Sequence, residues 1–81
     1  MSTMFEVYYR KPRDLAREAK LNGRVESLGG RLDYWEEGDG ASHCESICLT
    51  YEFEGWSRAE HAAEALRQEG EHVEGPIEYG A

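Results

Sequence analysis

The segment SICLTYEFE, residues 46–54, restricts the fold more than any other stretch of the chain. Ile47, Leu49, Tyr51 and Phe53 alternate with Ser46, Cys48, Thr50 and Glu52, and β-branched and aromatic types dominate. Period-two alternation of this length specifies a strand with one face in a core. Such a strand needs partners along its edges and a cover for its apolar face. The flanking sequence offers both.

MFEVYYR (4–10) alternates in the same way, with Phe5, Val7 and Tyr9 on one side and Glu6, Tyr8 and Arg10 on the other. RLDYWEE (31–37) predicts another strand, with Leu32 and Tyr34 inward and Asp33 and Trp35 outward. GDGAS (38–42) is turn chemistry and predicts a hairpin into the strand at 46. In the last segment Val73, Ile77 and Tyr79 share one parity, while His72, Glu74 and Glu78 share the other. Gly75-Pro76 is permitted there only at a sheet edge or a bulge.

Two helical segments separate these strands. In GWSRAEHAAEALRQEG (55–70), Ala59, Ala62, Ala63 and Leu66 form a narrow apolar stripe. Ser57 and Glu60 have capping-box spacing there, and Gly70 suits the far end. Between Arg13 and Gly30, Leu21, Val25 and Leu28 lie on one helical face, but Leu15 and Ala19 fall off it. Asn22-Gly23, both poor helix formers, predicts a kink or a late start at that point. Gly29-Gly30 then ends the helix, with a glycine in the position that tolerates positive φ.

The order strand, helix, strand, strand, helix, strand is two βαβ units in series. Right-handed crossovers put both helices on one face of an antiparallel sheet. The expectation is an α+β ferredoxin-like βαββαβ sandwich, sheet order 4-1-3-2, as a single domain over residues 1–81. With only 81 residues, little chain is left to wall a deep active site. Any site is therefore expected to be shallow or completed by a second copy.

Charge narrows the partners. The balance is 17 acidic residues against 9 basic ones, a net charge of −8. Nucleic-acid binding rests on neutralising phosphates with Lys and Arg, so no nucleic-acid partner is expected. The early basic run RKPRDLAREAKLNGR is broken by Asp14 and Glu18, as on a solvated helix face. No apolar run reaches the roughly 18 residues of a membrane span, and MSTMFEVYYR lacks the basic-then-apolar pattern of a secretory signal. The localisation expected is cytoplasmic, without a membrane partner, and the two cysteines are expected to be free thiols.

Those cysteines raise a metal or redox question, because Cys44 and Cys48 flank a strand start with His43 beside them. Four residues apart on a strand they stand about 13 Å apart, too far for a disulfide or a shared zinc ion. The residues of interest are instead those on the face opposite the helices. Tyr8, Trp35, Cys48 and Thr50 are expected near its centre, ringed by charges, which is how a binding interface is composed. His72 and Glu74, with Glu6 on the adjacent strand, form a candidate metal or acid–base group. GluGluGlyAspGly (36–40) lacks the ligand spacing of an EF-hand, and the chain has no G-x-S-x-G elbow or phosphate-binding glycine loop. His61 beside Trp56 is explained by packing on the first turn of its helix. No cofactor and no metal are specified.

Two functional readings follow. One is a non-catalytic binding or assembly module that uses the open sheet face, either as a homodimer or with another protein. The other is a small enzyme or ligand-binding protein with a shallow site on the same face, in which Tyr8, His72 and Glu74 would be the acid–base or metal groups. The fold alone decides between neither, since this architecture hosts many functions.

Overall fold

A computed structural model describes residues 2–38 and 46–79, Tyr79 by its backbone only. The elements are β1 (Ser2–Arg10), α1 (Leu15–Ser27), β2 (Gly30–Glu37), β3 (Ser46–Glu54), α2 (Trp56–Gln68) and β4 (His72–Tyr79). The sheet is antiparallel throughout, in the order β2-β3-β1-β4. Both helices cover one face, giving the ferredoxin-like α+β sandwich. His43, Cys44 and the turn at 39–42 lie outside the described residues.

The central strands behave as their alternation dictates. Phe5, Val7 and Tyr9 of β1 and Ile47, Leu49, Tyr51 and Phe53 of β3 point to the helix side and are buried. Phe5 packs against Phe53 and Tyr51, with ring centroids 5.1 and 5.9 Å apart. Ala59, Ala62, Ala63 and Leu66 of α2 close this layer from above. Three alanines in that stripe bring the helix backbone close to the sheet.

Helix α1 differs from its sequence reading in an informative way. It runs without interruption through Asn22-Gly23, and Asp14 caps it by accepting from the Arg17 backbone N–H at 3.0 Å. Its inward face carries Glu18, Leu21 and Val25, while Leu15 is 65% exposed. The apolar residues that fell off the stripe are solvent-facing, and a carboxylate occupies the buried position. Asn22 has a structural use, since its Oδ1 accepts from the Tyr51 hydroxyl at 2.7 Å. Gly23 has no such use: a Cβ built there meets nothing within 4 Å. Gly23→Ala should therefore raise stability by about 0.5–1 kcal/mol, the ordinary helix-interior cost of glycine. A thermal melt checks this, and a lower melting temperature would mean that the helix is bent here after all.

The start of α2 also departs from expectation. Gly55, at φ +99°, is the N-cap and no side chain caps the helix. Ser57 thus lies inside the first turn, two positions past the N-cap, and forms no capping box with Glu60. Gly29 and Gly70 follow the two helices with φ of +95° and +96°, as the helix–glycine–strand pattern requires.

Two bulges on the edge strands reassign the sheet faces. In β2, Leu32 opposes Tyr51 but Tyr34 opposes Thr50, so Asp33 is the extra residue. Directly opposed residues share a face, so the parity of β2 flips beyond Asp33. Trp35, opposite Leu49, is placed on the helix side, and Tyr34 takes the outward position. In β4 the irregularity falls at Gly75-Pro76, both opposite Phe5. Ile77 then opposes Met4 on the open face, and Glu78 opposes Thr3 on the helix side. Bulges at edge strands are a common guard against edge-to-edge pairing, and each one here also changes which side chains the open face displays.

Candidate functional site: the open sheet face

Register lays out the open face as rows that cross all four strands. One row runs Glu36, Cys48, Tyr8, His72. The next runs Tyr34, Thr50, Glu6, Glu74. A third holds Glu52, Met4 and Ile77, with Arg31 opposite Glu52 on the far edge. Of the four residues expected at the centre of this face, Tyr8, Cys48 and Thr50 are there. Trp35 is not: the Asp33 bulge turns it over, and the Arg13 guanidinium lies 3.5 Å from its ring centroid on the helix side. Parity counting put Tyr34 and Ile77 on the wrong face, and Met4, on the parity of Glu6 and Tyr8, was not singled out. The Gly75-Pro76 pair was the one signal that could have placed Ile77.

The centre is apolar in an unusual way. Cys48 and Thr50 are only 6% and 4% exposed, although they face away from the core. Long side chains on the flanking strands cover them. Glu6 accepts a hydrogen bond from the Tyr8 hydroxyl at 3.2 Å and from the Cys48 thiol at 3.5 Å. Burial, with the Glu6 carboxylate alongside, pushes the Cys48 thiol up to about 11. A thiol so placed is a small hydrophobe and not a nucleophile at neutral pH. Burial likewise holds the Tyr8 phenol well above its ordinary value, with the Cys48 thiol and Glu6 adding to it. The Thr50 hydroxyl is fully enclosed and has no hydrogen-bond partner. The Thr3 hydroxyl, on the helix side of β1, is enclosed in the same way, so neither singles out the open face.

His72, Glu74 and Glu6 are arranged differently from a ligand set. His72 Nε2 lies 3.0 Å from Glu74 Oε2, and the His72 ring meets the Tyr8 ring edge-on at 5.8 Å between centroids. Glu6 is turned toward Tyr8 and Cys48. Among the described residues no three of His, Cys, Asp and Glu converge as metal ligands would. A shallow depression lined by Tyr8, Tyr9, Arg10, Ser46, His72 and Glu74 opens at this end of the face. It is not a walled pocket.

No family model, curated protein or solved structure matches the chain. The face must be read from its own chemistry. No helix among the described residues is long and apolar enough to cross a membrane.

The Lys and Arg residues are concentrated on the helix side. Of the nine Lys and Arg residues, Lys11 and Arg13 enter α1, Arg17, Lys20 and Arg24 lie on it, and Arg58 and Arg67 lie on α2. On that side five carboxylates are paired, Glu18 with Arg13, Glu37 with Lys11, Glu64 with Arg67, Glu69 with Arg24 and Glu71 with Arg17, while among the described residues Glu26 on α1 and Glu60 on α2 have no Lys or Arg partner. The open face has Arg31, bonded to Glu52, and Arg10 at its rim. Among the described residues Glu6, Glu36 and Glu74 have no Lys or Arg partner, and Glu6 and Glu74 stand directly opposite one another. Like charges in that position repel.

A separate polar cluster was invisible to the sequence reading. Glu18, 4% exposed, accepts from the Arg13 guanidinium at 3.0 Å and from the Tyr9 hydroxyl. The Asp14 backbone N–H in turn donates to that hydroxyl at 2.8 Å. The Arg13 hydrogen bonds hold the Glu18 carboxyl below its ordinary value against the opposing effect of burial. Every group in the cluster is satisfied, and it fixes the entry of α1 onto β1.

Proposed function

We propose that the protein is a non-catalytic binding or assembly module whose open sheet face seats a protein partner. The observation that carries this reading is Ile77, 54% exposed beside Met4 on a face whose central residues, Cys48 and Thr50, are already desolvated. A broad, unwalled surface that mixes exposed apolar and charged side chains suits a macromolecule better than a small substrate. The enzyme reading has less behind it. His72 and Glu74 engage each other, Tyr8 is held in its neutral form, and the adjoining depression is shallow.

Site-specific photocrosslinking in the native host tests the proposal. A photoreactive side chain at Tyr34, on the open face, should give a discrete protein adduct, and the same group at Glu64 on α2 should give none. Adducts from neither position, or equal adducts from both, would count against a docking role for this face.

A further inference from the structure

We infer that Arg67 is a guard that closes the β4 edge of the sheet against an added strand. The contact stands apart from the open face and does not depend on what docks there. Backbone parity, the hydrogen bonds of Arg67 and the side chains of β4 carry it together.

Parity decides which backbone groups β4 leaves at the edge. The Gly38 backbone N–H donates to the Ser46 carbonyl, so Ser46 and alternate residues beyond it turn their backbone groups toward β2. Ile47, Leu49, Tyr51 and Phe53 therefore turn theirs toward β1, where Tyr9, Val7, Phe5 and Thr3 face them. That leaves Tyr8 and Glu6 of β1 facing His72 and Glu74 of β4 with their N–H and C=O groups. Val73 lies between those two and turns its own N–H and C=O outward. Exposed groups of this kind are the template on which another strand pairs.

Arg67 occupies that template. From the last turn of α2 its Nη2 donates to the Val73 carbonyl at 3.1 Å and to the Gly75 carbonyl at 2.6 Å. These are the acceptors an added strand would use, and hydrogen bonds from a charged donor are the stronger kind. Glu64 Oε2 lies 3.8 Å from Nη1 of the same guanidinium. Past Gly75 the edge needs no guard, because Pro76 has no N–H and the bulge breaks the register.

The side chains of 72–74 do not bar pairing themselves. Two β4 edges meeting antiparallel about a two-fold at Val73 would set His72 of each chain opposite Glu74 of the other, a compatible cross-strand pair. The opposite edge is protected in another way. There β2 carries the Asp33 bulge with Glu36 and Glu37 beyond it, and copies of those carboxylates would repel. On β4 the protection is one side chain.

Sedimentation of Arg67→Met, which keeps most of the stem and loses the donors, tests the inference. R67M should self-associate more tightly than wild type by about tenfold or more, a difference of at least 1.4 kcal/mol. The added net negative charge opposes association, so charge loss predicts the reverse. Amide exchange supplies the location: the Val73 amide should gain protection in associated R67M, while Trp35 and Glu37 at the β2 edge stay as in wild type. R67K, which keeps a donor at the end of the stem, and R58M, which removes a charge near the other end of α2, should both behave as wild type. R67Q, whose shorter side chain cannot span to both carbonyls, serves if R67M folds poorly and should associate in the same way. Folded R67M or R67Q no more associated than wild type would overturn the inference. So would protection that falls outside β4, or equal association of R58M and R67M.

Discussion

Gly30→Val should lower stability by about 3 kcal/mol or more, at or beyond the upper end of what overpacking a core costs. Gly30 stands directly opposite Phe53, whose ring folds across it. A Cβ at Gly30 would come within 2.4, 2.6 and 2.8 Å of three atoms of that ring. Real Cβ atoms do not approach so closely, so one strand must move. Phe53 cannot give way, because it is 1% exposed and packed on Phe5. For a chain of this size each kcal/mol corresponds to about 4–8 °C, so the melting temperature should fall by roughly 12 °C or more. Gly30→Val combined with Phe53→Ala should cost less than the sum of the two single changes, because the smaller residue admits the new side chain. Additive losses in that double-mutant cycle would show that the ring is not what Gly30 accommodates.

Glu18→Ala should cost about 1.5–3 kcal/mol, the range for hydrogen bonds to a charged group. The change removes the acceptor for both Arg13 and Tyr9. It does not strand Tyr9, whose hydroxyl keeps the Asp14 backbone N–H. Its pH signature is more specific than its size. The Glu18 carboxyl titrates below its ordinary 4.5 in the folded chain, chiefly because Arg13 holds the ionised form. The folded state therefore binds fewer protons at this site than the unfolded state over that interval. Its contribution is complete above about 4.5 and is lost as pH falls through the lowered folded value. The stability gap between wild type and Glu18→Ala should narrow in that acid window and stay constant from there up to neutral pH. A gap independent of pH would mean that the carboxylate acts only by filling space.

The architecture was legible because it rests on periodicity. Alternation in 4–10 and 46–54, a 3.6-residue stripe in 56–68 and a glycine after each helix leave few arrangements other than βαββαβ. The faces of β1 and β3 were legible for the same reason, since central strands are held in register on both sides. The edge strands were not. Gly75-Pro76 announces a bulge, but parity beyond it can be assigned only when the number of opposing residues is known. Asp33 carries no signal at all, and counting straight through it put Trp35 on the wrong face.

Helix α1 shows a different limit. A search for apolar residues at helical spacing passes over a buried carboxylate, so Leu15 looked like a misfit when the inward position belonged to Glu18. Gly30 illustrates a third. As a glycine after a helix it reads as a stop signal, which is the work of Gly29 at φ +95°. Its own reason lies across the sheet in Phe53, 23 positions away in sequence.

The candidate site inherits these limits. Tyr8, Cys48 and Thr50 were found because they sit on the central strands. Tyr34 and Ile77 were hidden by the bulges, and that Glu6, Glu36 and Glu74 have no Lys or Arg partner among the described residues needed the whole fold. Net charge was visible in the sequence; which carboxylates pair with Lys or Arg was not.

Carboxyl footprinting tests the central claim most directly, because the residues it reads are the ones the claim concerns. Protein in a gentle extract of its native host, labelled with a water-soluble carbodiimide and a small amine, is compared with purified protein treated in the same way. Glu6, Glu36 and Glu74 should be protected in the extract, while Glu26 and Glu64 on the helices label equally in both samples. Equal labelling of the open-face carboxylates in the two samples, or protection confined to the helices, would contradict the account.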